Sequence, residues 1–401
     1  MITLADVETA LAAIRPYIDH TPCMRSDNLS RTLGCSVYLK LENLQMTGAF
    51  KERGALNKML SLPSAIRQRG VVAASAGNHA QGVAYHAQRM GGPATIFMPE
   101  MTPITKVNAT RRFGAEVVLH GQNYDEAYEQ ALEYCSQEGL PFIHPFDDPL
   151  IMAGQGTIGM EIIQDGIEPD AVIVPIGGGG LMAGIATAIK QQRPQCRMIG
   201  VQMKRAPGMK ASLDEGEVVQ VETAPSLADG ITVKRVGELT FGVAHQYVDE
   251  IVLVDEEEAA SSVLTLLEKE KCLVEGAGAV PLAALQSHGL GLEGKRVVLI
   301  LSGGNIDMNQ LSRIIERGLI NDGRMAKLRV TLKDVPGQLA SVSNTIAHMK
   351  ANVLEVYHNR SFFDGPFGGA FLDITLETRG REHLQEIQAQ LEAEGYTVRS
   401  L

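Results

Sequence analysis

Short apolar runs, each followed by a small-residue turn or by helical spacing, recur along most of this chain. That alternation restricts the fold more than any other feature. The runs fall at 36–41, 70–74, 94–98, 116–119, 171–175, 198–202 and 296–301. Between them, apolar residues repeat with helical period at 49–60, 80–90, 102–113, 123–138, 181–191 and 256–269, after an opening helix at 5–18. Strands alternating with helices of roughly 10–15 residues form parallel β-α-β units and an α/β fold. In such folds ligands gather where strand C-termini meet helix N-termini. The residues just after each run are therefore the ones to read for chemistry.

The rhythm changes near 321–327, a polar stretch with the turn pair Asp322-Gly323. Beyond it the pattern reads strand 328–332, helix 336–349, strands 352–359 and 369–377, helix 382–394 and strand 396–400. That order, βαββαβ, is ferredoxin-like. The expected domains are 1–320 and 327–401, in keeping with 401 residues at roughly 100–200 per domain. A net charge of -11 opposes binding to nucleic acid or to an anionic membrane. Cys23, Cys35, Cys135, Cys196 and Cys272 are dispersed, with no C-x-x-C pair, as reduced thiols of a cytoplasmic protein are. The first fifteen residues lack the pattern of a secretory signal, and no apolar stretch is long enough to span a membrane.

Four segments carry candidate chemistry. In Thr47-Gly-Ala-Phe-Lys51-Glu-Arg-Gly-Ala55, a lysine at a helix start beside Phe50 could lose its proton through desolvation and serve as a Schiff-base amine. Taken alone, it reads better as a solvated lysine paired with Glu52 or Glu42. In Ser75-Ala-Gly-Asn-His-Ala-Gln-Gly82, a turn opening a helix offers main-chain N–H groups, with Ser75, Asn78 and His79 adding side-chain hydrogen bonds. It suits a carboxylate, or equally an ordinary helix cap. Gly177, Gly178, Gly179, Gly180 and Leu181 join a strand to a helix and can wrap a phosphate; the spacing matches neither G-x-x-x-x-G-K-[ST] nor a complete G-x-G-x-x-G. Ser302-Gly-Gly-Asn305 follows the last run, with Ser302 placed to meet a ligand ring or to cap a helix.

In this order the segments resemble the threonine and serine dehydratase family of fold-type II pyridoxal-phosphate enzymes, over roughly residues 1–320. The resemblance implies two open α/β lobes, the smaller one (about 46–147) inserted in the larger. It implies that Lys51 holds pyridoxal 5'-phosphate and later acts as general base. Phe50 would pack on the cofactor ring, Asn78 would bond its 3′-oxygen, Gly177–Leu181 would hold the phosphate, and Ser302 would meet the ring nitrogen. Ser75, Ala76, Gly77, Asn78 and His79 would grip the carboxylate of an amino-acid substrate. Serine racemases of the family resemble this chain but have a serine where Ala76 stands, so poor racemisation is expected. Where some relatives bind a divalent metal, the matching stretch starts at Gln202 with Lys204 and Arg205 close by, so no metal is expected. Glu275 could lie near the cofactor or simply end a helix.

The C-terminal segment resembles an ACT domain through strand 328–332 and the loop Asp334-Val-Pro-Gly-Gln-Leu339. This implies an amino-acid effector and a homodimer or homotetramer; a purely structural dimerisation module is the other reading. The activity implied is loss of water and ammonia from threonine or serine. A dehydratase of another 3-hydroxy amino acid, a β-replacing synthase of the same fold and a catalytically silent amino-acid sensor are the alternatives.

Overall fold

In the computed structural model, which describes residues 1–360 and 368–401, the apolar runs fold as strands. They are β1 (Cys23–Ser26), β2 (Ser36–Leu41), β3 (Val71–Ala74), β4 (Ala94–Met98), β5 (Glu116–Leu119), β6 (Ala171–Pro175), β7 (Arg197–Met203), β8 (Glu250–Val254) and β9 (Arg296–Leu301). Every residue of β3, β4 and β6 is buried, as parallel strands covered on both faces require. Six strands form one sheet in the order β1-β2-β9-β6-β7-β8, parallel except for β1 against β2. A separate parallel sheet holds β3-β4-β5. The two α/β lobes expected from the sequence are thus present. The opening helix spans Leu4–Ile14, shorter than the expected 5–18, and Pro16 just beyond it has no N–H to continue the ladder.

Both lobes pack on one buried helix, Pro149–Gln164, capped by Asp148. The helix Lys51–Ser61 crosses it so closely that a Cβ on Gly154 would lie 2.6 Å from the Gly54 Cα. On its other side, a Cβ on Gly184, in the helix Gly180–Gln192, would lie 2.5 Å from the Gly156 nitrogen. Only glycine permits backbones to approach this nearly.

A buried ionic network sets the orientation of these elements. Arg53 is wholly buried; its Nε donates to Glu42 Oε2 (2.7 Å) and its Nη1 to Glu161 Oε1 (2.6 Å). Lys40 Nζ, on β2, donates to Glu161 Oε2 (2.5 Å) and to the Thr21 carbonyl (2.6 Å). Burial would push the Glu161 carboxyl up, but Arg53 and Lys40 together hold it below its ordinary range. Two cations and two carboxylates therefore satisfy one another in the interior.

The remaining residues form a second compact unit, Asp307–Leu401, apart from Met1–Ile306. Its strands are β10 (Met325–Lys333), β11 (Asn352–Asn359), β12 (Gly369–Glu377) and β13 (Thr397–Ser400), in the antiparallel order β11-β12-β10-β13. With helices Gln338–His348 and Arg381–Ala393 this is the ferredoxin-like βαββαβ arrangement. Leu328, Val330 and Leu332 alternate along β10 and pack with Val342, Ile346, Ile387 and Leu391 from the two helices. The sequence reading divided the chain after 320. The units part after Ile306 because the helix Met308–Asn321 packs on β10.

Replacing Arg53 with methionine leaves the buried Glu42 carboxylate without a cation and Glu161 with Lys40 alone. Urea unfolding of Arg53→Met is expected to show a loss of about 3–5 kcal/mol, the cost of breaking a buried ion pair from one side; a loss under about 1 kcal/mol would contradict the network's role.

Candidate active site

The end of β9 lies beside the turn that precedes Lys51. Phe50 N donates to the Ser302 carbonyl (3.1 Å) and Gly304 N to the Gly48 carbonyl (2.9 Å). This antiparallel contact, centred on Ala49 and Gly303, brings Ser302 next to the start of the helix Lys51–Ser61. Lys51 Nζ donates to the Pro145 carbonyl (2.8 Å) and lies 5.3 Å from the Phe50 ring centre. Removal from water pushes the Lys51 ammonium down to about 8, with Glu275 opposing. A useful fraction of the amine is therefore neutral near physiological pH and able to attack a carbonyl.

The second lobe contributes the turn after β3. Ser75 N donates to the Phe97 carbonyl (3.1 Å), and Ser75 Oγ accepts from Gly77 N (3.2 Å). A Cβ on Gly77 would meet nothing, so the turn faces open space there. Asn78 begins the helix Asn78–Arg89; its Nδ2 donates to Glu275 Oε1 (2.7 Å) and its Oδ1 accepts from Asn305 Nδ2 (2.8 Å). Residues 78, 275 and 305, far apart in sequence, are thus in contact. Burial, with Asp229 nearby, pushes the Glu275 carboxyl up to about 7. His79 departs from expectation. Its ring is 3% exposed, and Nε2 is engaged with the Ile143 carbonyl (2.9 Å). Burial and the Lys51 charge push it down to about 3. The imidazole is neutral and packed inward, which leaves only the main chain of His79 for a ligand.

The glycine loop joins β6 to the helix Gly180–Gln192. Gly179 has φ +101, the left-handed region open to glycine. Behind the loop stand Phe146, Ile231 and Thr240, close enough that a Cβ on Gly177, Gly178 or Gly179 would press on them. Thr240 Oγ1 donates to the Gly178 carbonyl (2.6 Å), which ties the carbonyl side backward. The helix starts without a side-chain cap, so its first N–H groups are left for an anion. Since β9 lies between β2 and β6, Ser302 and the glycine loop leave neighbouring strand ends.

Sequence reading missed the part played by 144–148. Pro145 meets Lys51, and Phe146 backs the glycine loop. Asp147 accepts from the first N–H groups of the helix Glu238–Tyr247, and Asp148 pairs with Lys58 (2.6 Å). His144 Nδ1 accepts from Phe146 N (3.2 Å) and Asp147 N (2.7 Å), which packs the ring into the loop. The Asp147-Asp148-Pro149 string was the available signal, since two acidic caps before a proline mark a helix start. At the stretch compared with metal sites, Gln202 Oε1 accepts from Lys210 N (2.9 Å), and Lys204 Nζ pairs with Asp255 (2.9 Å). Among the described residues no group of three or more His, Cys, Asp or Glu could hold a metal ion.

The family described as pyridoxal-phosphate dependent enzyme matches residues 14–303. An L-threonine ammonia-lyase of Thermotoga maritima is 49% identical over 399 residues, covering 100% of this chain and 99% of that one. One of Geobacter sulfurreducens is 50% identical over 398 residues, 99% of each chain. Among solved structures, a threonine deaminase from T.th. is 42% identical with a TM-score of 0.72, over 76% of this chain and 99% of that one. Threonine deaminase isoform 2 of Solanum lycopersicum is 38% identical with a TM-score of 0.75, over 78% of this chain and 92% of that one.

A methyl group on Gly178 would fall on the Phe146 ring and push the loop forward. Calorimetric titration with inorganic phosphate is expected to show Gly178→Ala binding about tenfold or more weaker than the native chain, from an overpacking cost of roughly 1–3 kcal/mol. Equal affinity would rule the loop out as the phosphate cradle.

Proposed function

The chain belongs to the pyridoxal-phosphate dependent enzyme family, and from that membership we propose that it is an L-threonine ammonia-lyase. It takes L-threonine to 2-oxobutanoate and ammonia, with L-serine to pyruvate as a side activity. One observation carries the reading: the similarity to relatives named L-threonine ammonia-lyases runs the full length of the chain, second unit included.

The residues suit pyridoxal 5'-phosphate. A lysine amine is brought toward neutrality, an uncapped helix start follows four glycines, and a hydroxyl residue, Ser302, is 2% exposed at a strand end. When bound, the cofactor supplies an electron sink for charge at the substrate α-carbon. Lys51 Nζ would hold it, with Phe50 against its ring, Asn78 at its ring oxygen, and the N–H groups of Gly177–Leu181 on its phosphate. Ser302 would face the ring nitrogen with a neutral hydroxyl, which keeps less charge on the ring than a carboxylate partner would and so favours prompt loss of the β-hydroxyl.

In this reading the main-chain N–H groups of 75–79 take the substrate carboxylate. Lys51 Nζ would be the general base that removes the substrate α-proton. The β-hydroxyl takes up a proton and leaves as water; the enamine so formed tautomerises to an imine, whose hydrolysis consumes one water and frees ammonia. The Pro145 carbonyl, 2.8 Å from Nζ, gives the freed amine a fixed acceptor that orients it between proton transfers.

The second unit acts, in the same reading, as an amino-acid sensor in a cytoplasmic homodimer or homotetramer. Its ferredoxin-like sheet and the uncapped start of the helix Gln338–His348 support this. No helix among the described residues is long and apolar enough to cross a membrane.

Protein loaded with the cofactor should develop a visible absorption band and form 2-oxobutanoate from L-threonine, faster than pyruvate from L-serine and with little D-serine. Lys51→Ala should lose the band and reduce turnover by at least about 10³-fold, since it removes both the covalent anchor and the base. Undiminished turnover by Lys51→Ala would end the assignment. Isoleucine or valine in the same assay tests the sensor.

A further inference from the structure

Thr47, Asn305, Asn78 and Glu275 form a hydrogen-bonded chain with a fixed direction. Asn305 Nδ2 donates both to the Thr47 carbonyl (2.8 Å) and to Asn78 Oδ1 (2.8 Å). Asn78 Nδ2 donates to Glu275 Oε1 (2.7 Å). The direction is imposed at the first link, because a main-chain carbonyl only accepts. Asn305 must therefore turn its amino group toward Thr47, and both of its hydrogens are then used. Asn78 must offer its oxygen to Asn305, which turns its own amino group toward Glu275. A carboxylate there accepts one of the two hydrogens, and the second is uncommitted.

The far end of the chain is held as firmly. Glu275 is 8% exposed, its N–H donates to the Gly303 carbonyl (3.0 Å), and it immediately precedes the helix Gly276–Ser287. An isolated asparagine amide can turn over at little cost, exchanging donor for acceptor. Here one end is specified by Asn305, itself fixed by the Thr47 carbonyl, and the other by Glu275.

We propose that the Thr47 carbonyl, Asn305 and Glu275 are positioning groups that hold the Asn78 amide with its free N–H toward the ring oxygen of pyridoxal phosphate. The inference rests on the reading that Asn78 meets that oxygen. Asn305 and Glu275 touch neither substrate nor cofactor; they act through Asn78. An N–H donor at the ring oxygen stabilises its ionised form. The orientation of Asn78 should therefore govern both cofactor affinity and the balance between the bound cofactor's long- and short-wavelength bands.

The test is absorption titration of cofactor-free full-length protein with pyridoxal phosphate, for the native chain, Asn305→Asp, Asn305→Ala and Glu275→Ala. A carboxylate at 305 cannot donate to the Thr47 carbonyl and demands a donor from Asn78, which turns the amide over. Asn305→Asp is expected to bind about tenfold or more weakly, the scale of one misdirected hydrogen bond to a charged group, and to shift absorbance to the short-wavelength band. Asn305→Ala and Glu275→Ala should move both readouts the same way by less, since they free the amide without reversing it. Asn305 is exposed, so its variants keep the fold, as thermal unfolding will verify. Native affinity and band balance in Asn305→Asp would overturn the inference alone. A native chain that develops no visible band would remove the parent reading, and this inference with it.

Discussion

The pairing of Arg53 with Glu42 and Glu161 is the constraint on which the catalytic lobes depend. Arg53 lies two residues beyond Lys51 on the same helix, roughly on its opposite side at 3.6 residues per turn. When Arg53 is bound to Glu42 beside β2 and to Glu161 in the central helix, Lys51 is turned toward Pro145. Lys40 on β2 completes the charge balance through Glu161. Buried pairs of this kind add little net stability over apolar packing, while loss of one partner costs several kcal/mol. Their effect is on geometry: they fix the rotation of the helix that carries the Lys51 amine.

Around that amine the protein avoids a second cation. Burial and the Lys51 charge push His79 down to about 3, and burial pushes His144 down to about 4. Both imidazoles are occupied with main-chain groups. The carboxyl of Glu275 is raised, so it supplies only a partial counter-charge. An amine in such surroundings gives up its proton more readily than one in water, as both a Schiff-base former and an α-proton base require. The glycine loop is built differently: it offers an anion main-chain N–H groups, and its carbonyl side is tied back by Thr240.

Much of this was legible in the sequence because it depends on local pattern. The alternation of runs and helices gave the α/β lobes, and β11 and β12 fall on the residues that periodicity marked, 352–359 and 369–377. The segments around Lys51, Ser75–His79, Gly177–Leu181 and Ser302 stood out by composition. Harder to see was the helix Pro149–Gln164. It is apolar nearly all round and interrupted by Gly154, Gly156 and Gly159, so it lacks the amphipathic period that announces a surface helix. Contacts made at long range were also hidden. Nothing near Asn78 points to Glu275 or Asn305, and nothing near Lys51 points to Pro145. The inward turn of His79 was missed because a histidine at a helix start reads equally as ligand or as packing.

The central claim is that folding removes Lys51 from water and lowers the proton affinity of its amine. It is tested most directly by following the lysine ε-carbon signals of cofactor-free, 13C-lysine-labelled protein through pH, with Lys51→Ala to assign the resonance. The account predicts that one lysine titrates with a midpoint of about 8. A Lys51 midpoint at the ordinary lysine value, about 10.4, would contradict it.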